Sequence, residues 1–237
     1  MKKIHRFITP VKIEGEMLTV EEMDVVRQVR DILKIKLGES IAICDGQGKE
    51  WTIEVQGMSK TEIQGLIIDQ FSGTDPIPMD VTLYLSLLKS ENFELAVQKA
   101  VECGVMRIVP MISRRTIKLN IKLDRIQRII REAAEQSGRL MLPALSEIQN
   151  FDEALRMIKD NQESAIFFDL EAKPLSSLEK ISGQKRSILI GPEGGWDEDE
   201  IQKIRNAGIP AANLGPFVLR AETAAPIATY LLTHGVY

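Results

Sequence analysis

The chain has only two cysteines, Cys44 and Cys103, and two histidines, His5 and His234. Two thiols cannot build a disulfide framework, and this set is too small for a convincing protein-only zinc site. Reduced thiols in a cytoplasmic setting, with no metal, are the expectation. No uninterrupted apolar run approaches the roughly 18 residues that span a bilayer. The first ten residues carry Lys2, Lys3 and Arg6 with no apolar segment behind them, which disfavours export. A charge excess is also missing: 30 Lys and Arg against 34 Asp and Glu give −4, which argues against a surface wholly devoted to nucleic acid. A local basic patch stays compatible with that total. No internal repeat or low-complexity tract is visible. What remains is 237 residues, 44% apolar and 27% charged, enough for one large domain or two smaller ones with real cores.

The first 70 or so residues read as short strands. Ile41 and Ile43, the turn Asp45-Gly46-Gln47-Gly48, and alternating Trp51, Ile53 and Val55 predict a hairpin. Ile63 to Ile68 adds another strand. Met23, Val26, Val29 and Leu33 recur at helical spacing and predict a short helix within Val20 to Leu37. The stretch from Ser72 to Pro78 holds a glycine and two prolines and reads as a linker. The expected domains are therefore 1–73, small and β-rich, and 74–237. In the second, strands at Val81–Leu88, Arg107–Met111, Ala165–Leu170 and Ser187–Ile190 alternate with helices at Asn92–Cys103, Asp124–Gln136 and Asp197–Ala207. Alternation of this kind predicts an α/β fold with a mostly parallel sheet.

Charge is uneven along the chain. Between Gln98 and Leu140 ten basic side chains, Lys118 among them, face four acidic ones, a net +6 against the acidic total. In the helix there, Leu123, Ile126, Ile130 and Ala133 form the apolar stripe, and Arg125, Arg128 and Arg131 lie largely off it. That face suits either a polyanion or plain solvation. Cys44, in a strand, and Cys103, in an amphipathic helix, read as buried small apolar groups. His5, His234, Trp51 and Trp196 read as ordinary packing or tail residues.

The most informative segment is Ser187-Ile-Leu-Ile-Gly-Pro-Glu-Gly-Gly-Trp-Asp-Glu-Asp-Glu200. A β-branched strand runs into a glycine-rich turn, and Asp197 with Glu200 has the spacing of a helix capping box. Glycines at 191, 194 and 195 let a ligand approach the backbone at a strand's C-terminal end. No Gly-Lys-Ser/Thr and no Gly-x-Gly-x-x-Gly is present, so a phosphate-cradling switch protein is excluded. Glu193 and the acidic run from Asp197 to Glu200 favour a ligand of little or positive charge. The second segment, Asn213-Leu-Gly-Pro-Phe-Val-Leu-Arg-Ala-Glu-Thr-Ala-Ala-Pro226, pairs another Gly-Pro turn with Arg220 and Glu222. A helix from Ala224 to Thr233 follows, in which Thr223 can cap and Pro226 falls in the first turn. Taken by themselves, Arg220 and Glu222 read equally as a surface ion pair.

Together the two segments resemble the paired cofactor loops of SPOUT methyltransferases, specifically the RsmE type that methylates N3 of a uridine in small-subunit (16S) ribosomal RNA. His5 to Phe7, Gln98 to Val105, Pro110, Glu132 to Arg139 and Pro143 extend the resemblance over nearly the whole chain. It implies an N-terminal PUA-like RNA-binding β-barrel and a C-terminal α/β domain threaded into a trefoil knot, as a homodimer that uses the last helix. It also implies S-adenosylmethionine bound by Leu170, Ile190, Gly191, Pro192, Glu193, Gly194, Gly195, Leu214, Gly215, Val218, Leu219, Arg220 and Thr223. Arg220 and Glu222 are the expected catalytic pair: Arg220 faces the reacting base or pairs with Glu222, and Glu222 orients Arg220 or accepts a proton. RNA contacts are expected from Arg6, Arg114, Arg115, Arg128, Arg131, Gln136 and Arg139. The family commonly carries arginine where this chain has Phe217. A SPOUT enzyme for another RNA position and a non-catalytic RNA-binding module of the same fold are the competing readings.

Overall fold

The computed structural model describes residues 4–117, 121–179 and 183–236. Lys2, Lys3 and Lys118 lie outside them. The chain divides into two compact units, 1–76 with 134–142, and 77–133 with 143–237.

The first unit is a six-stranded sheet of β1 (His5–Ile8), β2 (Lys12–Glu14), β3 (Met17–Val20), β4 (Ser40–Cys44), β5 (Lys49–Met58) and β6 (Ile63–Ser72). The order is β1-β4-β5-β6-β3-β2, with β1 and β4 parallel and the other pairs antiparallel. The hairpin register sets Ile43 opposite Trp51 and Ile41 opposite Ile53. Its turn is held by Asp45, whose Oδ1 accepts from Gln47 N at 2.7 Å and Lys49 N at 3.0 Å. Irregularities in β5–β6 at Thr52/Ile53 and Val55/Gly57 add local twist. Among the described residues β1 and β2, the ends of the path, do not pair, so the sheet is open where the resemblance implied a closed barrel. Physically, the three residues of β2 are all exposed and present a free edge.

Phe7, Leu18, Val26, Ile41, Ile53 and Ile63 centre this unit's core. The helix predicted within 20–37 is shorter, α1 (Met23–Arg27) followed by a π-helical turn, Gln28–Ile32. Val25, Val26 and Val29 are its buried side, while Met23 is exposed. Residues 134–142 belong to this unit because polar groups staple them there. Ile8 N donates to Glu135 Oε1 at 2.7 Å, and Leu142 N to Gly46 O at 2.8 Å. Arg139 Nε donates to Asp75 Oδ2 at 2.9 Å.

The second unit is a parallel sheet of β7 (Asp80–Ser86), β8 (Arg107–Ile112), β9 (Ala144–Leu145), β10 (Gln149–Asn150), β11 (Ser164–Phe168), β12 (Lys185–Ile190) and β13 (Ala211–Ala212). Its order is β10-β8-β7-β12-β11-β13, with β9 against β8. The helices are α2 (Ser90–Glu102), α3 (Leu123–Ser137), α4 (Phe151–Asp160), α5 (Glu198–Asn206) and α6 (Ala221–His234). The α/β reading with a parallel sheet holds. Helix α4, absent from the sequence-based expectation, starts at a capping box of Asn150 and Glu153. The predicted box of Asp197 and Glu200 opens α5. Helix α6 begins at Ala221 with Arg220 as N-cap, so Pro226 lies in its second turn rather than its first. There it supplies no N–H to the carbonyl of Glu222.

Candidate active site

The C-terminal ends of β11 and β12, side by side in register Phe168 to Ile190, face a cavity of about 730 Å³. Open α/β sheets bind ligands at this end because neighbouring loops diverge there and leave backbone groups uncommitted. Three loops shape the cavity. The loop after β12 turns at Pro192, whose carbonyl accepts from Gly195 N at 2.9 Å. Trp196 anchors it from below: its ring is buried, and Nε1 donates to Phe168 O at 3.0 Å. The loop after β13 is tied to the loop after β11 through Asn213, whose Nδ2 donates to Ala172 O at 2.5 Å and whose Oδ1 accepts from Gly215 N at 3.1 Å. Gly195 and Gly215 have φ of 71° and 127°, a region that excludes most side chains. A Cβ at either would meet no described atom within 4 Å, so the need there is for the backbone conformation and the space stays open to a ligand.

Leu170, Ile190, Gly191, Pro192, Glu193, Gly194, Gly195, Leu214, Gly215, Val218, Leu219, Arg220 and Glu222 all line this one cavity, together with Phe217. Thr223 does not; it is exposed on α6, and the cap is Arg220. Lys89, Asn92, Asp169 and Trp196 also line it and were missed. A signal for Lys89 and Asn92 existed, since Lys89 caps α2 and Asn92 sits in its first turn, just beyond β7, another parallel strand ending on the same side.

The ionisable lining is Lys89 and Arg220 against Asp169, Glu193 and Glu222, one negative charge in excess. Asp169 Oδ1 accepts from Glu171 N at 3.0 Å. Glu193 Oε1 accepts from Lys89 N at 3.1 Å and Asn92 Nδ2 at 3.5 Å, which latches the glycine loop to the start of α2. Arg220 is 85% exposed, and its Nη1 stands 3.9 Å from Oε1 of Glu222, itself 8% exposed. Oε2 of Glu222 is buried without a partner.

The expected RNA-contacting side chains do not share one environment. Arg128 and Gln136 are exposed and Arg131 half-buried. Arg114 Nη1 bonds Asp197 Oδ1 at 2.7 Å and also Asp199, and Arg115 Nη1 donates to Gly194 O at 3.2 Å, so both brace the glycine loop. The bond from Arg114 holds the Asp197 carboxyl below the usual carboxylate range. Arg6 is mostly enclosed, paired with Glu50 and donating to Cys44 Sγ at 3.1 Å. Arg139 is a correction: it is 6% exposed and ion-paired to an equally buried Asp75, which leaves it no surface for a phosphate. Among the described residues no three His, Cys, Asp or Glu side chains are grouped to hold a metal ion, and no helix is long and apolar enough to cross a membrane.

A family model for an RNA methyltransferase domain matches residues 75–233. The ribosomal RNA small subunit methyltransferase E of Bacillus subtilis is 28% identical over 214 residues, 84% of this chain and 83% of that protein. Its counterpart from Mesomycoplasma hyopneumoniae is 32% identical over 208 residues, 85% of this chain and 88% of that protein. The crystal structure of the Neisseria gonorrhoeae ribosomal RNA small subunit methyltransferase E bound to S-adenosyl methionine matches with a TM-score of 0.87 and 31% identity, covering 96% of this chain and 95% of that one. With a glycine-looped cavity at the strand ends and these similarities in sequence and structure, the chain belongs to the RNA methyltransferase family, alongside the ribosomal RNA small subunit methyltransferases E.

Proposed function

We propose that this chain methylates N3 of a specific uridine in small-subunit (16S) ribosomal RNA, with S-adenosylmethionine as methyl donor. The observation that carries the reading is the single cavity in which both glycine-rich loops meet Arg220 and Glu222. When bound, S-adenosylmethionine supplies an electrophilic methyl group on a positively charged sulfur. The residues present fit it: the open glycine backbone at Gly195 and Gly215 can approach adenine and ribose, and the excess carboxylate suits a cationic centre.

N3 lies on the Watson–Crick edge, so the target base must be unpaired when it enters. Phe217, 80% exposed beside the cavity, offers an aromatic face on which a splayed base can stack. Arg220, exposed at the positive end of α6, is placed to stabilise negative charge developing on the uracil oxygens. Arg220→Ala is expected to slow methyl transfer by about 10²- to 10³-fold. Cofactor affinity should change much less, as single-turnover kinetics beside calorimetry would show. Gly195→Val forces a β-branched side chain into positive φ, and the strain should weaken cofactor binding roughly tenfold or more. Unchanged calorimetric affinity in that variant would remove the loop from the site.

The same reading makes the first unit, with the exposed Gln136, a PUA-like RNA-binding surface, and takes the exposed Arg128 of the second unit as an RNA contact of that unit. It takes α6, with Ile227 and Tyr230 exposed, as a homodimer contact. A C-terminal trefoil knot, a ribosomal-subunit partner and a cytoplasmic setting belong to it as well. The decisive test incubates the protein and S-adenosylmethionine with naked 16S RNA or with small subunits, and identifies the methylated nucleoside by mass spectrometry. N3-methyluridine at one position is expected. A ribose 2′-O-methyl product, or no product with either substrate, overturns the reading.

A further inference from the structure

We propose that Glu222 is the proton acceptor of the reaction, taking the N3 proton of the target uracil; the assignment rests on the uridine-N3 reading above. An imide nitrogen has no free electron pair in the plane of the ring until its proton leaves, so an acceptor must stand at the cavity. The ionisable side chains lining it are Lys89, Asp169, Glu193, Arg220 and Glu222. The two cations have no acceptor to offer when protonated. Asp169 is occupied in a loop turn by Glu171 N, and Glu193 by Lys89 N and Asn92 Nδ2.

Glu222 differs from both. Its side chain is more than nine-tenths buried, Oε2 has no partner, and its nearest cation, Arg220, stands beyond hydrogen-bond distance at 3.9 Å. A buried carboxylate oxygen without a donor is a cost that folding does not explain, and a donor arriving with the substrate relieves it. The terminal torsion of a glutamate is broad and two-fold, so a rotation about Cγ–Cδ can present either oxygen to the cavity. The N3–H bond breaks and its proton passes to a Glu222 oxygen. N3 keeps the electron pair and forms the bond to the methyl carbon, while the carbon–sulfur bond breaks and its pair leaves the sulfur as a neutral thioether. Arg220, two residues away and exposed, is free to meet the uracil oxygens during this transfer.

The test compares wild type with Glu222→Gln in single-turnover methylation from pH 6 to 10, on RNA carrying uridine or 5-fluorouridine at the target. A general base contributes about 10²- to 10⁴-fold, and a loss in that range is expected at neutral pH. The deficit should shrink at alkaline pH, where the imide ionises without help, and on 5-fluorouridine, whose N3–H is more acidic. Calorimetric affinity for S-adenosylhomocysteine should stay within about threefold. Glu222→Asp, the second variant should the amide weaken the fold, should keep the wild-type pH profile at a reduced rate. A deficit that is equal at all pH values and on both bases, or lost cofactor binding, overturns the assignment. A wild-type protein that methylates no uridine N3 removes the underlying reading; a full rate in Glu222→Gln removes only the role of Glu222.

Discussion

Trp196→Ala should destabilise the second unit by about 3–5 kcal/mol, the usual cost of emptying a buried aromatic site. The ring is 6% exposed. It meets Phe151 edge-on with centroids 6.0 Å apart and Phe167 at 6.5 Å, and edge-to-face pairs add to what burial alone contributes. Removing it also strips the Phe168 carbonyl of its donor. On the proposed function the loss of activity should be as large, because this side chain is the floor of the glycine loop: a Cβ on Gly191 would stand only 3.0–3.2 Å from its indole atoms. Without that floor the Gly191–Gly195 turn has fewer contacts to hold its shape, and cofactor binding should fall below calorimetric detection. Trp196→Phe separates the two contributions, keeping a ring but no N–H. The chain has one other tryptophan, Trp51, buried in the first unit, so in Trp196→Ala fluorescence in urea reports the first unit alone and circular dichroism reads the second unit's midpoint. A Trp196→Ala midpoint within a few tenths molar of wild type would contradict this account.

Asp75→Ala should unfold the first unit with comparable effect, about 3–5 kcal/mol, because it takes the paired carboxylate away from a buried guanidinium. Asp75 Oδ1 accepts from Leu140 N at 2.6 Å and Met141 N at 3.3 Å, and Oδ2 accepts from Arg139 Nε at 2.9 Å. Burial pushes the Arg139 guanidinium below its ordinary value, opposed by the bond to Asp75. Without Asp75 that opposition is lost. Replacing both partners by apolar residues, Asp75→Leu with Arg139→Met, should recover much of the loss, since the penalty comes from burying a charge deprived of its carboxylate rather than from the missing attraction. Trp51 fluorescence in urea, read with Trp196→Phe as the common background, measures both variants. A double variant no more stable than Asp75→Ala would show that the backbone bonds to Leu140 and Met141 matter more than the ion pair.

The cavity was legible because its parts obey local rules. A β-branched strand ending in Gly191, a capping box at Asp197 and Glu200, and a second Gly-Pro turn before Arg220 each mark a strand-to-helix corner within a few residues. Parallel strands then bring such corners to one side of the sheet. Helix α4 escaped because its signal was an Asn150 cap rather than a longer apolar pattern. Helical spacing groups Met23 with Val26 and Val29, but spacing alone does not say which side of a short helix faces the sheet. Packing chose Val25 instead. Lys89 and Asn92 lie about a hundred residues before Glu193, and nothing local links them to it.

The sequence by itself determined the alternation of strands and helices, the two glycine loops and the lining those loops contribute, because turn chemistry, capping and hydrophobic period act over a few residues. Tertiary structure alone decided the roles of the charges. Arginines of one stretch became a buried structural pair at Arg139, braces of a loop at Arg114 and Arg115, and an exposed cation at Arg128. Desolvation and partner distance set those roles, and both depend on atoms far away in the chain. The same holds for Glu222, a surface carboxylate by its neighbours in sequence, which folding buries at the cavity with one oxygen unpaired.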